Sequence, residues 1–225
     1  MPDTDRSLGS NPDILGSRVR PLIVGLTGNI GGGKSSVARL LKQRGALIVD
    51  ADDLARQATN DPDVLRRISE ELGPELVKDD GLDRPAMAAK VFADPEARTV
   101  LNSIIHPWVG LKRMQVQAEA MNQPDPPPVI VHDVPLLFEV GLQRSVDVTV
   151  VVTAPLAERA ARVARRSGLT PEQVRDRDAA QMSQEEKAAR ADFVIDNSGG
   201  ETELEEQVTQ IWTQLMKRRE MKRRG

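Results

Sequence analysis

Gly28-Asn29-Ile30-Gly31-Gly32-Gly33-Lys34-Ser35 satisfies the pattern G-x-x-x-x-G-K-[ST] at every fixed position. Glycines allow successive backbone N–H groups to turn inward, and a helix starting at such a loop adds the partial positive charge of its N-terminus. Lys34 can reach β- and γ-phosphates, and the Ser35 hydroxyl can ligate Mg²⁺. By composition alone the pattern turns up in roughly one chain of this length in a hundred, so context must decide. Here the context agrees: an apolar run, Leu22 to Thr27, precedes the glycines, and Val37, Leu40 and Leu41 follow at helical spacing. The segment is expected to cradle a nucleoside triphosphate, with Gly31, Gly32, Gly33, Lys34, Ser35 and Ser36 around the phosphates.

Further candidate groups follow other apolar runs. Asp50-Ala51-Asp52 closes the run Ala46 to Val49. A carboxylate there could take the proton of an acceptor hydroxyl and hold its oxygen in line with a γ-phosphorus. Either aspartate could equally cap the following helix. Asp133 ends the run Val129 to Val131, where a carboxylate could hold Mg²⁺ through water or simply make a turn with Pro135. Arg159, Arg162, Arg165, Arg166, Arg175, Arg177 and Arg190 crowd one segment, which suits a movable helical lid over phosphates or a solvated amphipathic face. His106 before Pro107 reads as a turn residue, and His132 as packing or strand-end polarity.

These groups need elements to position them. Short apolar runs at Leu22, Ala46, Val129, Val146 and Phe193 read as five strands buried on both faces, alternating with helices. That alternation predicts a parallel sheet covered on both sides, with ligands beyond the carboxyl ends of its strands. Between Leu54 and Pro128 the pattern is helical, with starts at Asp61-Pro62 and Asp94-Pro95, and it continues as helix from Val109 to Met121. Thr170 to Gln173 and Ser183 to Glu186 fit capping boxes, so two short helices lie between about 171 and 190. A last helix carries Leu204, Val208, Ile211, Trp212 and Leu215 on one stripe.

The 225 residues carry 31 Lys+Arg against 34 Asp+Glu, a net charge of −3. That balance speaks against a nucleic-acid partner held by counterion release. With no Cys and two His, thiolate chemistry and multi-His metal sites are excluded. The apolar runs fall far short of the roughly 18 residues of a membrane span, and no secretory signal is visible, so a cytoplasmic protein without a membrane partner is expected. No N-K-x-D or L-S-G-G-Q pattern occurs, which moves weight from switches and transporters toward a small-molecule kinase. A kinase of the nucleotide or shikimate type and a non-catalytic nucleotide sensor remain alternatives at this level.

The combination of Leu26 to Ser35, Val49-Asp50-Ala51-Asp52, Ile105-His106-Pro107, Pro135-Leu136-Leu137-Phe138-Glu139, Gln181 to Lys187 and Ala191 to Asn197 resembles the dephospho-CoA kinase family, from about Leu22 to Trp212. The resemblance implies an α/β P-loop NTPase three-layer sandwich, a five-stranded parallel sheet with a helical substrate-binding insertion and a lid. It implies a core over about 21–53 and 129–212, a CoA-binding insertion over about 54–128 and a lid over about 156–190. A disordered extension over 1–20 and a basic tail over 213–225, read as a frayed helix end, lie outside the pattern. The implied reaction is phosphorylation by ATP, with Mg²⁺, of the ribose 3′-hydroxyl of dephospho-CoA, by a monomer. Asp52 would be the base and Arg177 the better-matched lid arginine beside Arg166. Asn197 would approach adenine, and Arg84 and His106 would face the acceptor. Three positions depart from the pattern: Asn29 where Gly is usual, Ser36 where Thr is common, and Asp178 where an apolar residue is usual.

Overall fold

The computed structural model describes residues 20–224. The extension expected over 1–20 therefore lies outside the described residues, except for Arg20. The chain runs β1 (Leu22–Thr27), α1 (Lys34–Gln43), β2 (Leu47–Asp50), α2 (Ala51–Ala58), α3 (Pro62–Leu72), β3 (Val77–Lys78), β4 (Gly81–Leu82) and α4 (Arg84–Ala93). It continues through α5 (Pro95–Met121), β5 (Val129–Asp133), β6 (Val148–Thr153), α6 (Leu156–Ser167), α7 (Pro171–Ala179), α8 (Gln184–Arg190), β7 (Phe193–Asp196) and α9 (Glu201–Arg224).

Five strands form one parallel sheet in the order β2-β5-β1-β6-β7. Successive side chains on a strand point to opposite faces, and both faces are apolar here. Leu22, Val24 and Leu26 join Val37, Leu40 and Leu41 of α1 and Leu204, Val208 and Leu215 of α9 in one cluster. Ile23, Val49 and Ile130 meet Leu54 of α2 and Ala120 of α5 on the other side. The helices α3, α4 and the first half of α5 build a separate core around Ile68, Met87 and Ile104.

Three features differ from the sequence-based expectation. First, His106, expected at a turn before Pro107, lies inside α5, which is continuous for 27 residues through that proline. A proline inside a helix costs about 3 kcal/mol or more. Packing opposes that cost, because the first half buries Ala97, Ile104 and Ile105 in the insertion core while Val116 and Ala120 bury against the sheet. Second, the β3–β4 hairpin and α4 were not expected; their signals are Asp80-Gly81 and the cap Asp83, whose carboxylate accepts from the Ala86 N–H at 3.0 Å with Pro85 in the first turn. Third, the basic segment after Trp212 continues α9 instead of fraying. Arg218 donates to Asp192 at 2.9 Å and lies 5.0 Å from the Phe193 ring centroid, and Lys222 pairs with Asp147.

Candidate functional site

The sheet order brings three strand ends together. Register aligns Leu26 of β1 and Asp50 of β2 with Asp133 of β5, so the glycine loop and both aspartate segments leave the same edge. The loop then turns into α1, whose N-cap is Gly33 with no side-chain cap. Its first N–H groups thus face outward, the arrangement that favours an anion. Gly31 (φ 77°) and Gly33 (φ 92°) hold left-handed backbone conformations. They also lack room for a side chain: a Cβ on Gly31 would sit 2.5 Å from the Arg159 carbonyl oxygen, and one on Gly33 would sit 1.9 Å from Asn197 Nδ2.

A cavity of about 600 Å³ opens over this loop. Of the candidate residues, Gly31, Gly32, Gly33, Lys34, Ser35, Ser36, Asp52, Asp133, Arg166 and Arg177 line it. Lys34 Nζ pairs with the buried Asp133. Burial pushes Asp133 up from the ordinary carboxylate range; the Lys34 ammonium opposes this, and Asp50 and Asp52 nearby add to the rise. The two aspartates of the D-A-D segment divide their tasks. Asp50 caps α2, accepting from the Asp52 and Asp53 N–H groups at 2.8 and 3.1 Å. Asp52 is exposed on the cavity wall.

A second cavity, also about 600 Å³, adjoins the first and shares Asp52, Pro135 and Gln181 with it. Its wall is mostly apolar (Ala55, Val109, Val134, Leu136, Val140), with His106 and Arg113 as polar members. Arg113 was not anticipated; half-buried, its guanidinium is held below the ordinary range by desolvation. Behind it His132 holds Gln117 Oε1 at 2.7 Å, and burial, with Arg113 adding, lowers its pKa to about 4.

Two predicted residues lie elsewhere. Arg84 lines neither cavity and donates to Thr59 Oγ1 at 2.8 Å, tying α4 to the end of α2. Asn197 is buried beneath the loop, not in the cavity: its Nδ2 donates to the Gly32 carbonyl at 2.9 Å, and its own carbonyl accepts from Arg162 Nη2 at 2.6 Å. Arg56, not expected from the sequence, lines the first cavity together with Arg162 of the arginine-rich segment and Gln181. Arg56 had a legible signal, four residues after Asp52 on the same helix face. The remaining motif residues brace the site. Lys187, fully buried, pairs with Glu139 at 2.9 Å and donates to the Pro135 carbonyl at 3.0 Å, while Glu139 also accepts from the Met182 N–H at 2.9 Å.

The donors around the first cavity that could hold a metal are oxygens: the Ser35 hydroxyl and the Asp50, Asp52 and Asp133 carboxylates. Among the described residues no three His, Cys, Asp or Glu form a metal cage. Such a set fits a hard cation that keeps water and leans on substrate phosphates, as Mg²⁺ does. No helix among the described residues is long and apolar enough to cross a membrane.

The sequence pattern of the dephospho-CoA kinase family matches residues 22–203. A dephospho-CoA kinase of Deinococcus radiodurans is 45% identical over 199 residues, covering 88% of this chain and 95% of that protein. One from Thermobifida fusca is 43% identical, covering 88% and 98%. A solved structure from Thermus thermophilus superposes with a TM-score of 0.74 at 40% identity, covering 87% of this chain and 97% of that one. By sequence pattern, relatives and fold together, the chain belongs to the dephospho-CoA kinase family.

Proposed function

We propose the following division of labour for this chain's reaction, the ATP-dependent phosphorylation of dephospho-CoA that completes coenzyme A synthesis. ATP places its phosphates on Gly31 to Ser36, in the first cavity. Dephospho-CoA enters the second cavity, where the apolar wall suits its pantetheine arm and His106 and Arg113 face its polar part. The ribose 3′-hydroxyl then meets the γ-phosphorus at the shared wall. Asp52 takes the hydroxyl proton as the oxygen bonds to phosphorus, and the bond to the bridging oxygen of ADP breaks. Lys34 exchanges Asp133 for the β- and γ-phosphates, and Arg166 and Arg177 offset charge on the transferring group. Ser35, and Asp133 through water, would hold Mg²⁺, which neutralises phosphate charge when bound.

The observation that carries this reading is that Asp52 belongs to both cavities while Asp50 is engaged as a helix cap. The insertion over about 54–128 supplies part of the acceptor wall, and the segment over about 156–190 supplies the arginines of the lid. We assign the working form to a monomer and the reaction to the cytoplasm.

Asp52→Asn tests the assignment. A general base contributes about 10²–10⁴ in rate, so turnover with Mg²⁺-ATP and dephospho-CoA should fall at least a hundredfold while ATP still binds. Near-normal turnover would remove Asp52 from its role.

A further inference from the structure

The lid is fastened to the phosphate loop by groups that the proposed chemistry does not use. Asn29, buried in the loop, donates from Nδ2 to Asp178 Oδ1 at 2.8 Å and to the Met182 carbonyl at 3.2 Å. Next to it the Ile30 N–H donates to Gln181 Oε1 at 3.0 Å. Asp178 is also paired with Arg159, a buried residue of α6 whose Nη2 reaches Asp178 Oδ2 at 3.1 Å. Arg159 in turn donates to the carbonyls of Ala154 at 3.0 Å and Ile30 at 3.3 Å. One carboxylate at the end of α7 therefore joins the loop to both α6 and α7. Asn29 and Asp178 are two of the three positions that depart from the resembled pattern, and they touch each other across 149 residues of sequence.

We infer that Asp178 is a positioning residue for phosphoryl transfer: through Asn29 and Arg159 it seats α7 on the phosphate loop and so keeps Arg177 in the nucleotide cavity. This rests on the reading that Arg177 acts on the phosphates of ATP. The physical reason is adjacency. Arg177 is exposed and has a long, freely rotating side chain, and positions one apart on a helix project in different directions. With Asp178 anchored inward, Arg177 is left directed along the cavity wall, which it lines together with Arg166 and Gln181. Without the anchor, the exposed remainder of α7 buries Val174 as its sole fully covered side chain. A helix of nine residues so thinly packed has little else to hold its orientation.

Asn29→Ala is the principal test, because it removes the two side-chain bonds from Asn29 to Asp178 and Met182 and leaves the Ile30–Gln181 bond and the buried Arg159–Asp178 pair intact. Asp178→Asn is the companion; it keeps an acceptor for Asn29 and removes the charge facing Arg159. For Asn29→Ala, kcat should fall about tenfold, the scale of one hydrogen bond to a charged group, with KM for dephospho-CoA and the melting temperature little changed. Hydrogen exchange of amides in 171–182 should quicken about tenfold while those of β1 and β6 keep their rates. Combined with Arg177→Ala, Asn29→Ala should cost little further, because its effect passes through that arginine. Full additivity with Arg177→Ala, or wild-type kcat and lid exchange in both Asn29→Ala and Asp178→Asn, would overturn the inference. The underlying reading fails by a separate sign, Arg177→Ala itself at wild-type turnover, which overturns both.

Discussion

Asn197→Ala asks whether the residue after the last strand serves the loop or the base of the nucleotide. In the structure Asn197 Nδ2 donates to the Gly32 carbonyl at 2.9 Å, and the residue is buried. Alanine removes that donor but keeps the backbone carbonyl that receives Arg162 Nη2 at 2.6 Å, so α6 stays in place. Leaving a buried carbonyl without its partner costs about 1–3 kcal/mol. Part of this falls on global stability, and part on the loop, which must then be ordered by its ligand. Ordering one residue's backbone costs about 1–2 kcal/mol, so affinity for any polyphosphate should drop roughly 5- to 30-fold. Titration calorimetry with ATP, GTP and inorganic tripolyphosphate supplies the assay. The same fold-loss is expected for all three, because the bond is to the loop and not to a base. A loss confined to ATP, with tripolyphosphate binding unchanged, would refute the argument and return Asn197 to the adenine side.

Other perturbations follow from the same geometry. Gly33→Ala should weaken ATP binding more than Asn197→Ala does, since the added Cβ meets Asn197 Nδ2 at 1.9 Å and φ is 92°; Gly45→Ala, at φ 99° with open space around it, should show the backbone cost of about 1–2 kcal/mol alone in its unfolding free energy. His132 titrates near 4 in the folded chain, below its ordinary 6.5, because it is buried and faces Arg113. The unfolded chain then takes the proton first, so this contribution is complete above pH 6.5 and is lost as pH falls toward 4. By pH 5 about 2 kcal/mol should be gone. Urea unfolding of wild type and His132→Gln at pH 7.5 and 5 checks it; equal pH slopes in the two proteins would contradict it. Arg218→Ala should lower the urea midpoint by an amount equivalent to about 1 kcal/mol, from the lost Asp192 pair and Phe193 ring contact, whereas a frayed helix end would show no change.

Legibility followed the range of the interaction responsible. The cradle, the capped starts at Asp61 and Thr170, and the five strands rest on neighbours within a few residues, and each is in place. His106 reads as a turn residue beside Pro107 yet lies in mid-helix, because burial of α5 against two different cores outweighs the proline's local preference. The basic end of α9 misled because its partners, Asp192 and Asp147, lie far away in sequence. From the residues alone Asp50 and Asp52 are equally good caps, and only the resemblance pointed to Asp52 as base; the chain enters α2 at Asp50, which makes Asp50 the cap.

By itself, then, the amino-acid order determined which segments would be strands and helices and which loop would bare its amides to an anion, because periodicity and backbone freedom are local properties. Tertiary structure alone decided which charges meet. The β2-β5-β1 order set Asp133 against Lys34 and Asp52 across two cavities. It also turned Asn197 under the loop and joined Asn29 to Asp178. Such pairings depend on sheet order and helix packing, which are set by burial summed over the whole chain and are written in no single stretch of it.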